Sequence, residues 1–318
     1  MPLHDRKRIG SLRVAPLALG GNVFGWTADE AQSFALLDRY SEAGGNFIDT
    51  ADVYSAWETG HTGGESETII GNWMESRGNR QDMVVATKVG AHPELKGLAG
   101  ATITRAVEAS LKRLRTDHLD LYYTHTDDET VPVEEFLTAL DGMVSAGKVR
   151  EIGASNTSAD RLQEALAFSR REGLARYCAV QPHYNLVVRD RYEGALAAVV
   201  REHGLAAVPY FALAKGFLTG KYRPGGVVNS VRSGQATRYL GTPQGQRVLT
   251  TLDAVAAAHD VGQAAIALAW LATRPTVVAP LASARTTEQL STLTEFTRVN
   301  LTETELNVLT AAAEAGGT

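Results

Sequence analysis

Cysteine is nearly absent: the 318 residues contain one. A lone cysteine makes no internal disulfide, which points to a reducing compartment. Neither sign of charge is in large excess. Lys and Arg number 31 against 36 Asp and Glu, a formal net charge of −5. That argues against a dedicated nucleic-acid binder, which carries a basic face. No stretch approaches about 18 apolar residues without a charge, so no membrane span is expected. The start, MPLHDRKRIGSLRV, lacks the uninterrupted apolar core of a signal peptide. No Pro-, Ser- or Gly-rich linker divides the middle. What is present is 44% hydrophobic and 21% charged, ample for a large core and against wholesale disorder. These figures point to a cytoplasmic globular protein, built either as two domains of about 150 residues or as one large barrel.

Eight short apolar, often β-branched runs recur along the chain: Val14–Leu19, Asn46–Asp49, Met83–Thr87, Leu119–Thr124, Val149–Ala154, Ala179–Gln181, Leu205–Tyr210 and Thr276–Ala279. Helical patterns lie between them. Ile103, Val107, Leu111 and Leu114 form one stripe over 102–115, and Phe136, Leu137, Leu140, Met143 and Val144 another over 133–146. A helix over 29–43 stops at Gly44-Gly45 and is capped by Asp29 or Thr27. An apolar helix spans 262–273. Thr302 with Glu305 three residues later is a capping box opening a helix over 302–315. Strand–helix–strand units about 30 residues apart imply parallel pairing through right-handed crossovers. Eight such units fit a closed (β/α)8 TIM barrel of the α/β class, with residues 1–318 as one domain. The long Gly-rich segment 211–246 would then lie over the strand C-termini, where barrel active sites are built.

Several motifs are missing. The first strand ends in Gly20-Gly21-Asn22, not GxGxxG. Gly216 to Lys221 lacks P-loop spacing. No HExxH occurs, and His125 with Asp127 and Asp128 has no second histidine at ligand spacing, so no metal is expected. His61 and His183 read as polar loop residues, and Cys178 as buried and inert.

The strand ends carry the chemistry. Asp49 ends the second, Lys88 the third, His125 the fourth, Ser155-Asn156 the fifth, Gln181 the sixth and Tyr210 the seventh. Tyr54 follows Asp49 by five residues. A tyrosine hydroxyl is a weak acid at neutral pH. A nearby lysine ammonium favours the phenolate, and a carboxylate holds that lysine charged. A histidine orients a carbonyl oxygen. Such a set protonates an oxygen that is gaining charge. None of these residues donates hydride, so a nicotinamide cofactor must.

The runs FIDTADVY, VVATKVG, DLYYTHTDD, GASN and LAKGFLTGKY together resemble the aldo-keto reductases over nearly the whole chain. Gly63-Gly64-Glu65-Ser66-Glu67 resembles the bacterial and potassium-channel β-subunit-like branch. The resemblance implies Tyr54 as general acid/base, tuned by Lys88 and Asp49, with His125 on the substrate carbonyl. It implies NADPH held by Gly21 and Asn22 at the first strand end. Ser155, Asn156 and Gln181 would hold the nicotinamide carboxamide, with Tyr210 stacked on its ring. Phe211, Leu213, Ala214, Gly216, Leu218 and Lys221 would line the phosphates. Ser283, Arg285 and Gln289 fall at the adenosine end, where Arg285 is suited to a 2′-phosphate. Many members carry Asn where this chain has Leu293, which removes one adenine contact.

Phe24, Trp26, Trp57, Thr126 and Asp127 are expected in the substrate pocket. The family often has Trp or Arg after the histidine. Here Thr126-Asp127-Asp128 predicts a smaller, more acidic wall, suited to a sugar- or polyol-like carbonyl. Two other readings compete. One is an NADP-binding redox-sensing regulatory subunit with little turnover. The other is a barrel dehydratase or epimerase with a Schiff base on Lys88. The small-molecule carbonyl is the expected partner, and composition leaves the oligomeric state open.

Overall fold

The structure is a computed structural model that describes residues 2–226, 228 and 233–314. It opens with an antiparallel hairpin, β1 (Lys7–Ile9) and β2 (Leu12–Val14), turned by Gly10 at φ 54°. Seven strands of the main sheet follow in chain order as β3 (Ala18–Gly20), β4 (Phe47–Asp49), β5 (Val84–Val89), β8 (Leu119–Thr124), β9 (Val149–Ser155), β10 (Tyr177–Gln181) and β11 (Ala206–Ala207), with β12 (Leu281–Ala282) the eighth. A small hairpin, β6 (Ala91–His92) and β7 (Leu95–Lys96), lies outside the sheet. The eight pair in the order β11-β10-β9-β8-β5-β4-β3-β12, every neighbour parallel. Its ends meet. Ala207 bridges to Val277, and the Leu281 N–H donates to the Pro209 carbonyl at 2.9 Å. The fold is a (β/α)8 barrel, as the alternation predicts.

Helices α1 (Glu30–Glu42), α2 (Glu65–Arg77), α3 (Gly100–Leu114), α4 (Val133–Ser145), α5 (Ala159–Glu172) and α6 (Ala195–Glu202) supply the crossovers. Asp29 accepts from the Gln32 N–H in a capping box that starts α1, and Gly44 at φ 86° follows its end. Beyond β11 come α7 (Ser233–Leu240), α8 (Pro243–His259) and α9 (Gln263–Ala272), with α10 (Thr287–Thr294) and α11 (Glu303–Ala312) after β12. The Thr302–Glu305 capping box forms at α11; residue 315 of the expected helix lies outside the described residues, as do 227 and 229–232 of the 211–246 segment. No single described helix is long and apolar enough to cross a membrane.

Four strands differ from expectation by one or two residues at an end and three by more, each of the three close to a proline, which has no N–H for a ladder. Pro16 splits Val14–Leu19, so Val14 closes the hairpin and only Ala18–Gly20 joins the barrel. Pro209 shortens the Leu205–Tyr210 run to Ala206–Ala207. The eighth strand forms beyond Pro280, at Leu281–Ala282 rather than Thr276–Ala279.

Two apolar cores flank the sheet. One fills the barrel with Phe47, Val84, Ala86, Leu121, Tyr123 and Ala179, and Ile9, Leu12 and Val14 of the hairpin join it. The larger core packs the opposite strand faces, Ile48, Val85 and Tyr122 among them, against the helices. Side chains alternate along a strand. Asp49 therefore follows Phe47 inward, Lys88 follows Val84 and Ala86, and Gln181 follows Ala179. His125 extends the line of Leu121 and Tyr123. The strands thus aim polar side chains into the barrel at their C-terminal ends.

Candidate active site

Asp49 and Lys88 are fully buried. The Lys88 Nζ donates to Asp49 Oδ2 at 2.6 Å, to the Thr50 carbonyl at 2.6 Å and to the Tyr54 hydroxyl at 3.0 Å. A buried ammonium is tolerated only when paired and hydrogen-bonded, and this one has three acceptors. Gln181 Nε2 donates to the other carboxylate oxygen, Asp49 Oδ1, at 2.7 Å. Asp49 is thereby held at both oxygens. Burial pulls the Lys88 ammonium down, but the Asp49 charge and the Tyr54 oxygen outweigh it and raise its pKa.

Tyr54 behaves otherwise than the sequence suggests. Burial pushes its hydroxyl up to about 12, against the pull of Lys88. The lysine limits the rise without producing a phenolate at neutral pH. His125 stands opposite, its ring centroid 6.1 Å from that of Tyr54. Burial, followed by the Lys88 charge, lowers its pKa to about 3, so the ring is neutral at physiological pH. Its main chain is fixed from both sides. The His125 N–H donates to the Val89 carbonyl at 2.8 Å, and Asn156 Nδ2 donates to the His125 carbonyl at 2.8 Å. Asn156 in turn accepts from the Tyr210 hydroxyl at 2.7 Å.

A cavity of about 930 Å³ opens at Tyr54 and His125 and runs to Arg285, Gln289 and Leu293. Asn22, Ser155, Asn156, Gln181, Tyr210, Phe211, Leu213, Gly216, Lys221 and Ser283 line it between. Trp26 and Trp57 form its mouth, edge to face at 5.5 Å, with Trp57 6.1 Å from Tyr54 and 49% exposed. Three non-glycine residues lining it hold positive φ: Asn156, Phe211 and Lys215. Such strain gathers at functional sites. The Arg285 and Lys221 cations have no carboxylate partner among the described residues.

A model of the Aldo/keto reductase family matches residues 16–314. The chain belongs to the aldo/keto reductase family. It is 35% identical to norsolorinic acid reductase stcV of Emericella nidulans, over 94% of this chain and 78% of that protein. It is 34% identical to a probable voltage-gated potassium channel subunit beta of Oryza sativa subsp. japonica, over 88% and 86%. It is 30% identical to aryl-alcohol dehydrogenase GME11368 of Pestalotiopsis microspora, over 92% and 77%.

In this aldo/keto reductase six expected cavity residues lie elsewhere. Phe24 is fully buried; a turn closed by its N–H on the Gly21 carbonyl tucks the ring into the core. Gly21 packs against α2, where a Cβ would fall 2.8 Å from Ser66 Oγ. Thr126 is exposed and off the cavity. Asp127 is gripped by Arg161, whose Nε donates to both carboxylate oxygens at 3.2 Å. Asp128 accepts from the Leu98 and Thr130 N–H groups. The acidic pocket wall therefore does not form. Ala214 and Leu218 are buried beneath a 3₁₀ turn, Ala214–Thr219. The segment is kinked, with Lys215 and Gly216 outside helical φ/ψ, and it brings Leu213, Lys215, Gly216 and Thr219 to the cavity but not Ala214 and Leu218.

The cavity also has walls that sequence reasoning missed, including Lys215, Gln235, Gln263 and Thr292. Gln263 left no signal in the sequence; its side chain packs against Gly220, which holds φ 76°. Gln235 on α7 left none. His183 is more than a loop residue, stacking on Tyr210 at 5.3 Å and 21°.

Proposed function

We propose that this protein reduces an aldehyde or ketone to the alcohol with NADPH, using Tyr54 as general acid. The observation that carries the reading is the Lys88 ammonium bridging Asp49 and the Tyr54 hydroxyl within one buried cluster. Tyr54 gives its proton to the carbonyl oxygen as charge develops there. Lys88 stabilises the phenolate left behind, and Asp49, itself held by Gln181, fixes the lysine. Neutral His125 offers a ring N–H to the same carbonyl oxygen and so sets the substrate's orientation. A reduced nicotinamide, when bound, supplies the hydride.

The residues fit such a cofactor. Ser155, Asn156 and the Gln181 carbonyl suit its carboxamide, and Tyr210 its ring. Asn22, Phe211, Leu213, Gly216, Lys221, Ser283 and Gln289 line the remaining length. Two cations without a carboxylate partner among the described residues, Lys221 and Arg285, suit phosphates, and Arg285 at the far end favours NADPH over NADH.

The sugar-like substrate rested on Asp127 and Asp128, and Arg161 removes that support. Trp26, Trp57 and Tyr54 favour a flat aromatic carbonyl compound instead. The name of the aryl-alcohol dehydrogenase relative agrees with this. A screen following NADPH oxidation tests both steps. Aromatic aldehydes and ketones are expected to exceed neutral sugars at least tenfold in kcat/KM. Better turnover of sugars would overturn the substrate reading. The rice relative's name, a channel subunit, favours a second reading, a regulatory subunit; tight NADP binding with negligible turnover across the panel would favour it over an enzyme.

A further inference from the structure

A second cavity, of about 340 Å³, lies against Tyr210 and is lined by the ends of β9 and β10 and the loop that follows β10. Tyr210, Asn156 and Gln181 border both cavities, so the partition between them is one residue thick. The mechanism above uses nothing on its far side. Val180, Pro182 and Leu196 make that side partly apolar. Arg191 is its only charged lining residue, and no carboxylate pairs with it among the described residues. The His183 ring forms part of its wall, while His183 Nε2 is turned into the protein without a hydrogen-bond partner.

We propose that this cavity is a second binding site, for a small monocyclic organic carboxylate. The carboxylate sits on Arg191, which presents a planar two-pronged donor to such a group. The hydrocarbon part covers Val180, Pro182 and Leu196 beside the His183 ring. The volume stands at the low end for small-molecule sites, which limits the ligand to about one ring. An inorganic anion would satisfy Arg191 and leave the apolar wall wet, so the lining favours an organic acid. His183 contributes no competing charge at neutral pH, because burial, with Arg191 and Lys215 nearby, lowers its pKa to about 4. The site borders the cofactor shelf through Tyr210, which stacks on His183 and hydrogen-bonds Asn156.

Calorimetry with benzoate on the full chain without nucleotide tests the site independently of the reductase reading. One saturable benzoate site is expected. Arg191→Gln should weaken it at least tenfold, while Trp57→Leu at the mouth of the larger cavity leaves it unchanged. Inorganic phosphate should bind at least tenfold more weakly than benzoate. Undetectable benzoate binding to the unaltered chain, an unchanged isotherm in Arg191→Gln with native circular dichroism, loss in Trp57→Leu, or equal affinity for phosphate would each overturn the proposal.

Discussion

The two ends of the large cavity are built on opposite principles. At the Tyr54 end every charged group is buried and already bonded: Lys88 to Asp49, Thr50 and Tyr54, and Asp49 to Gln181. At the Arg285 end the cations meet no carboxylate among the described residues. Lys221 is exposed and Arg285 half-exposed. The first end is organised by the fold before any ligand arrives, so its geometry belongs to folding stability. The second is organised for a ligand's charge, so its contribution belongs to affinity. Damage at the two ends should therefore be read by different measurements.

The largest effect is expected at the first end. Tyr54→Phe removes the transferable proton and keeps the ring, so turnover should fall by about 10²–10⁴-fold, the range for general acid catalysis, with nucleotide binding retained. Normal turnover would remove Tyr54 from its proposed role. Lys88→Met separates stability from affinity. It leaves the Asp49 carboxylate buried without its cation, which costs about 3–5 kcal/mol, read as a lower urea midpoint. A variant as stable as the parent would break the contrast between the ends.

Arg285→Ala should leave stability alone and weaken NADPH about 10–100-fold, from the roughly 1.5–3 kcal/mol of a charge-assisted contact, while NADH binding barely changes. Equal loss for both nucleotides would show that Arg285 does not read a 2′-phosphate.

The smallest effect is a matter of pH. His125 sits near 3 and Tyr54 near 12, so the kcat for reduction should stay flat from about pH 5 to 9, and a limb near 6.5 would mean that His125 titrates normally. Stability has its own sign. A histidine lowered in the folded state takes up its proton more readily when unfolded. The folded form therefore loses stability as pH falls from about 6.5 towards 3, which acid titration followed by circular dichroism reads.

Much of this molecule is legible in local patterns. The helical stripes follow from a period of 3.6, the α11 capping box from Thr302 and Glu305, and most barrel strands from short apolar, β-branched runs that each segment carries by itself. Prolines 16, 209 and 280 moved the strand edges, because ladder pairing needs N–H groups that a residue-type run does not count. Asp49, Lys88 and His125 were readable because a polar residue ending an inward-facing strand line has one place to go.

By itself the sequence determined the βα repeat and the reacting groups that the strand ends deliver, since alternation along a strand is a property of neighbours. Only the tertiary structure decided which groups meet. Gln181 reaches Asp49 across 132 residues, and Arg161 reaches Asp127 across 34. Gly21 and Phe24 turn inward, and the kinked segment at 214–219 decides which side chains face the cavity. These outcomes depend on barrel closure, which brings distant charges into a buried space where each must find a partner.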